Sequence, residues 1–389
     1  MKEEVSIFIY CQAFGWDEMQ EHKFLSGLAE NRASMRPVLN TACASLPTVV
    51  TGKHPGEHGI FAWYIYGPDS SPFRSCRLLA HLPLGLRTSN RFRRIVDRAV
   101  RKSHGFMGRF NTFNIPLRVL PLFDVVEKRN LLEPGAFDGA ETLFDIFVEN
   151  RMNYFCSRWD WTDPENADAL EDLLELRQIS AAFCFLDSTE YVLQRYGCDS
   201  FPARSRFAWI DHRIRRLYET AARNYSRVNL IAFSDSGMID AESSLNLPRR
   251  LQANGHTYGK DYVAFYEPVM ARFWFMSDRR RDEISDTLQN LPMVKIMTRE
   301  ELQREQCWFA DNRFGELIVL ANPGTVLFPN FINGNEPLAA YGYAADAPGI
   351  EGGFVCNMAG VEPPEDVAGL FNIMQETVLG RRAEVLAGA

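Results

Sequence analysis

Residues 230–238 read LIAFSDSGM. Leu230, Ile231, Ala232 and Phe233 form an unbroken apolar run of strand length, and it stops abruptly at Ser-Asp-Ser-Gly. An apolar run without alternation marks a strand covered on both faces, the usual condition of a parallel sheet. Polar residues just past such a strand's C-terminal end line the crevice where α/β sheets bind ligands. The same pattern recurs in VSIFIYCQ (5–12), which ends on Gln12, and in FCFLD (183–187), which ends on Asp187.

Strands are expected at residues 5–10, 153–157, 181–186, 228–233, 316–320 and 353–357. Helical patterns separate them. Within 203–224, Phe207, Ile210, Ile214, Leu217 and Ala221 recur at three- and four-residue spacing between Arg, Asp and Glu. Alternating strands and helices predict one α/β domain over 1–389, with a mostly parallel central sheet sandwiched by helices. Two stretches depart from that rhythm. Residues 61–134 are rich in Arg, Phe and Pro and are expected to form a cap or insertion beside the crevice. Residues 249–312 are expected to form a smaller α/β subregion, with a strand-like YVAFYEPVMARFWFM and then a helix from Asp282.

The 389 residues are 46% hydrophobic with a formal net charge of -8, enough for a large core and the wrong sign for a general nucleic-acid binder. The basic run from Arg87 to Arg109 reads as a solvated amphipathic helix or as a contact for an anionic ligand or surface. No secretory leader is legible in MKEEVSIFIYCQ, and no apolar run reaches the roughly 18 residues of a membrane span. The eight cysteines lack metal-binding spacing, as suits buried free thiols. These features lead us to expect a cytoplasmic protein with a small-molecule ligand, no nucleic-acid or membrane partner, and room for a homo-oligomer or partner protein.

Four stretches, in order, resemble the type I phosphodiesterase/nucleotide-pyrophosphatase branch of the alkaline phosphatase superfamily. In SLPTVVTGKHPGEHGIF (45–61), Thr51, Gly52, Pro55, His58, Gly59 and Ile60 match that family's T-G-x-x-P-x-x-H-G-I. FCFLDSTEYVLQRYG (183–197) is similar to its D-x-x-G-H-x-x-G segment, and LIAFSDSGM to its S-D-H-G-M. AYGYAADAPGIEGGFV (340–355) is similar to its final H-G-x…P-x-x-x-G-x-F block. The resemblance implies an alkaline-phosphatase-like fold. It also implies two divalent ions, commonly zinc, held by six Asp and His side chains beside a hydroxyl or thiol nucleophile.

Carried over residue by residue, that site is mostly gone. The first Asp position holds Gln12, and the nucleophile position holds Ala42, flanked by Thr41 and Cys43. Asp187 and Asp235 remain. The three histidine positions hold Tyr191, Ser236 and Tyr341. No metal site is therefore expected, since two carboxylates from different half-sites do not replace four charged or imidazole ligands. Gln12, Tyr191, Ser236 and Tyr341 are expected to point into the vacated space and form a hydrogen-bonded pocket with the two carboxylates. On this reading Asp187, Asp235, Cys43, Thr41, Tyr191 and Tyr341 are the catalytic candidates, and Gln12, Ser236 and His256 the substrate-binding ones. His58 reads as structural. A reactive Cys43 would need its thiol pKa lowered, for example by the helix N-terminus.

Three functions stay open. The first is a metal-independent enzyme of altered chemistry on a phosphate- or sulfate-bearing or related small molecule. The second is a catalytically inactive binding or scaffold protein. The third is a metal-dependent phosphodiesterase with rearranged ligands.

Overall fold

Residues Val5 to Cys11 are buried almost completely, Ser6 included, which requires cover on both faces of their strand. The computed structural model describes residues 4–380 except 84, 86–88 and 113, and places this strand in the middle of a sheet. Glu4–Cys11 pairs in parallel with Ala181–Leu186 on one side and Arg227–Ser234 on the other. Tyr154–Cys156 adds a further parallel strand outside Ala181–Leu186. On the opposite flank Gly352–Cys356 runs antiparallel to Arg227–Ser234, and Asn31–Met35 closes the six-stranded sheet beyond it.

Side chains on a strand alternate between faces, and the two faces here carry different cores. Ile7, Ile9, Cys184 and Ala232 pack with Phe207, Ile210 and Ile214 of helix Phe201–Asn224. Phe8, Tyr10, Phe183 and Phe233 pack with Val49 and Val50 of helix Thr41–Thr51 and with residues of helices Leu143–Glu149 and Gly369–Leu379. Gly352 and Gly353 suit the strand that reaches into this sheet. A Cβ on Gly352 would lie 2.3 Å from Ser234 O, and one on Gly353 would lie 2.3 Å from Met19 Sδ.

The expected strand-like YVAFYEPVMARFWFM is two strands, Tyr262–Tyr266 and Met270–Phe275. They form a hairpin closed at Glu267 N to Met270 O (2.8 Å), where Pro268 has no amide hydrogen to continue a ladder. The strand expected at 316–320 joins this second, antiparallel sheet as Leu317–Ala321, so the smaller sheet extends past Asn312. Between residues 61 and 134, strands Tyr64–Tyr66 and Phe123–Val125 pair with each other and helix Asn90–His104 packs above them. Their apolar side chains share a core with Val263, Phe265 and Trp274 of the hairpin. Arg272, fully buried, ties the two regions together: it donates to Tyr64 O (2.7 Å) and faces Glu267 (3.5 Å). Among the described residues no helix is long and apolar enough to cross a membrane.

Candidate functional site

The C-terminal ends of the three central strands are joined by backbone donors. Gln12 N donates to Leu186 O (3.0 Å), Ala13 N to Asp235 Oδ1 (3.3 Å) and Phe14 N to Ser234 Oγ (3.0 Å). Ala13 takes φ 59°, a left-handed conformation that costs a residue with a Cβ about 1–2 kcal/mol and here aims its amide at the Asp235 carboxyl. Asn40, which precedes helix Thr41–Thr51, is also left-handed at φ 56°, with its Nδ2 donating to Phe61 O (2.6 Å). A Cβ on Gly15 would lie 2.5 Å from Gly237 Cα, so the turns after the first and third motif strands meet backbone to backbone.

Above these ends lies a cavity of about 770 Å³. Its floor is built from Tyr10, Gln12, Thr41, Ala42, Asp187 and Glu190. Residues of the 61–134 stretch line the cavity as well: Arg94, Asp97, Arg98 and Arg101 from helix Asn90–His104, then Arg109 and Glu127. Trp63, Phe110, Trp159 and Phe185 line it too. Arg109 reaches down, its Nη2 3.0 Å from Asp187 Oδ2, while its own amide donates to Glu127 Oε1 (2.8 Å). The Asp187 amide is in turn held by Asp163 Oδ1 (3.1 Å).

Glu190 is the floor residue that reading the sequence missed. It stands in the Gly position of the D-x-x-G-H pattern, and that departure was the available signal. Gln12 Nε2 donates to the Tyr341 hydroxyl (3.1 Å), Tyr341 hydrogen-bonds Glu190, and Gln194 Nε2 donates to Glu190 Oε1 (2.7 Å). Burial pushes Glu190 up to about 7; Asp187 and Asp235 reinforce this, and the Tyr341 hydrogen bond and Arg109 oppose it. Burial likewise lifts Asp235 to about 6 against the pull of Tyr10, the Ala13 amide and Ser45, and lifts Glu127 to about 7 against Arg109. Asp187 is raised by burial and partly restored by Arg109. Tyr10 and Tyr341, buried beside these carboxyls, are held well above the ordinary phenol range and remain protonated donors.

The other candidates fall in different places. Thr41 lines the cavity with its hydroxyl committed to Val38 O (3.0 Å). Cys43 also lines it, but burial, with Glu267 adding, drives its thiol pKa well up, so the helix N-terminus does not make it a thiolate. Tyr191 does not enter the vacated space. It is 60% exposed at the cavity mouth and accepts a hydrogen bond from Arg195 Nη1 (2.7 Å). A helix turns about 100° per residue, so with Glu190 facing inward its neighbour faces out. Asp235 and Ser236 are buried beneath the floor and are not among the residues that line the cavity. Tyr341 lines a small adjoining cavity of about 30 Å³, which it shares with Ala42, Cys43 and Glu190. His256 is not at the site: it is buried against Thr287 Oγ1 (3.1 Å), near helix Asp278–Gln289. His58 pairs with Thr48 Oγ1 (3.1 Å) and accepts the Ile60 amide (3.1 Å), a structural role.

Two buried polar atoms near these strand ends, Gln12 Oε1 and Ser236 Oγ, close no hydrogen bond with a described residue. They do not make a zinc pair's donor set. Asp187 is engaged by Arg109, Asp235 lies under the floor, and Gln12, Ser236 and Tyr341 are neutral. Among the described residues no three His, Cys, Asp or Glu side chains converge in a metal-binding group. The residues present therefore do not fit two zinc ions, which take charged or imidazole ligands in fixed geometry.

The family model for type I phosphodiesterase / nucleotide pyrophosphatase matches residues 7–344. No curated protein matches the chain in sequence. Among solved structures, an inactive threonine-to-alanine variant of murine ectonucleotide pyrophosphatase / phosphodiesterase 5, in complex with AMP, is similar at 14% identity with a TM-score of 0.68, covering 97% of this chain and 95% of that one. The human counterpart gives 13% identity, a TM-score of 0.68 and the same coverages. At such identities the likeness is one of fold.

Proposed function

This chain belongs to the type I phosphodiesterase/nucleotide pyrophosphatase family, and from that premise we propose that it is a metal-independent member acting by altered chemistry on a phosphate- or sulfate-bearing or related small molecule. The observation that carries this reading is the chain of hydrogen bonds Gln12–Tyr341–Glu190, which links two positions the resemblance assigns to metal ligands, Gln12 and Tyr341, to a carboxyl beside them, near the Asp187–Arg109 pair. Glu190, near 7, is suited to giving and taking a proton at neutral pH. Tyr341 and Gln12 orient it. Arg109 holds Asp187 in place at the cavity. Asp235 acts from below as a positioning residue through Tyr10 and the Ala13 amide. Such a site suits proton transfer, or transfer from an already activated donor. It does not suit hydrolysis of a plain phosphodiester, where metal supplies several kcal/mol of charge stabilisation.

A second reading, an inactive binding protein, draws support from Ala42 at the nucleophile position. The murine neighbour with a threonine replaced by alanine is inactive and yet holds AMP. One experiment separates the readings. Aryl phosphodiester and phosphomonoester turnover is measured with zinc, manganese or magnesium, then with chelator, in wild type and in Asp235→Ala. Turnover indifferent to chelator supports the metal-independent enzyme. Absence of turnover, with ligand-induced thermal stabilisation lost in Asp187→Ala, supports the binding protein. Metal-dependent turnover abolished by Asp235→Ala contradicts both.

A further inference from the structure

Arginines outnumber carboxyls on the side of the cavity built from residues 61–134, where Glu127 accepts the Arg109 amide, and carboxyls mark the floor. Helix Asn90–His104 turns one face to the cavity, with Arg94, Asp97, Arg98 and Arg101 at i, i+3, i+4 and i+7. Asp97 is already committed: it accepts the Thr112 amide (3.0 Å) and sits beside the buried Arg93. No ion pair with a described residue closes on the exposed Arg94 or Arg98. Arg101 is held in place, its guanidinium 4.8 Å from the ring centres of both Phe110 and Trp159 and donating to Phe110 O. The floor carries Asp187 and Glu190, and the cation nearest to it, Arg109, is spent on Asp187.

From this we infer that the ligand's anionic group seats on the cap, against Arg94, Arg98 and Arg101, and that an uncharged, hydroxyl-bearing part of the ligand faces Asp187 and Glu190. The inference rests on the reading of this cavity as a ligand site and deepens it by fixing which end goes where. A phosphate or sulfate at the floor meets carboxylates with one committed guanidinium between them. At the cap it meets three guanidiniums, whose planar forks suit oxyanions. Hydroxyls at the floor find carboxyl groups able to accept from them or, once protonated, donate to them. The class of ligand is therefore a hydroxylated molecule with a phosphate or sulfate tail. The aromatic side chains that line the cavity give its body surfaces to lie against.

The test titrates orthophosphate, and separately sulfate, into the full chain at low ionic strength, read by calorimetry and thermal shift. Wild type is expected to bind both. The double variant Arg94→Gln/Arg98→Gln is expected to lose about tenfold or more in affinity, the scale of a lost charged hydrogen bond. Both side chains are exposed, so its unfolding midpoint without ligand should match wild type and exclude misfolding. Asp187→Asn should bind at least as well as wild type, since it removes a like charge. Undiminished binding by the double variant, anion binding lost in Asp187→Asn, or no binding by wild type would each overturn the inference. The metal-and-chelator assay uses neither titration, so it judges the broader reading separately.

Discussion

Replacing Asp235 with Asn tests whether the buried carboxyl lives without a counter-ion. Asp235 is fully buried; its Oδ1 accepts one long hydrogen bond from the Ala13 amide, and the Tyr10 and Ser45 hydroxyls beside the carboxyl are neutral donors. Its pKa stands at about 6, against an ordinary 3.8, because burial penalises the charged form. A raised carboxyl contributes stability that is fully present below pH 4 and is lost as the pH climbs through 6. The difference of about two units corresponds to about 3 kcal/mol at most. Asn keeps the acceptor for Ala13 and never ionises. Urea unfolding of both proteins from pH 4 to pH 8 should therefore show Asp235→Asn gaining on wild type by up to about 3 kcal/mol between pH 4 and 6.5, then running level. A pH-independent difference would refute the desolvation argument. A variant that instead loses ground above pH 6 would mean that a cation sits on Asp235 at neutral pH.

Tyr341→Phe should cost about 1–3 kcal/mol in urea unfolding, because it leaves Gln12 Nε2 and one side of Glu190 without their partner. The same change removes a hydrogen bond to the ionised Glu190, so any activity that depends on the Glu190 carboxylate should show its acid limb moved to higher pH. Gly352→Ala should destabilise by at least about 2 kcal/mol, since the new Cβ meets strand backbone at 2.3 Å and backbone cannot step aside. Cys43 should resist iodoacetamide at pH 7.5 in the folded protein and react once unfolded; rapid alkylation in the fold would contradict the raised thiol pKa.

The central strands were legible because burial on both faces writes itself as unbroken apolar runs, in VSIFIYC and LIAF alike. Strand Asn31–Met35, NRASM, was not. It is the sheet's edge, four of its five residues keep contact with solvent, and nothing in its composition favours a strand. The meeting of Gln12, Asp187 and Asp235 followed from their places at the ends of adjacent parallel strands. Depth did not follow: whether a strand-end residue opens to the cavity, as Asp187 does, or lies beneath it, as Asp235 does, depends on what the cap and the neighbouring turns cover. Glu190 reads in sequence as one more helix charge, and Arg109 lies 78 residues before the aspartate it pairs with. His256 looked like part of a polar turn, but Leu251 and Thr287 close over it.

The most direct test of the central claim is elemental analysis of the full chain purified without chelator, joined to unfolding midpoints before and after EDTA. If neutral side chains, Gln12, Tyr191, Ser236 and Tyr341, stand where the resemblance puts metal ligands, zinc should be well below one equivalent and EDTA should leave the midpoint unchanged. Two equivalents of zinc, with a midpoint that falls on chelation and recovers on adding zinc back, would contradict the account.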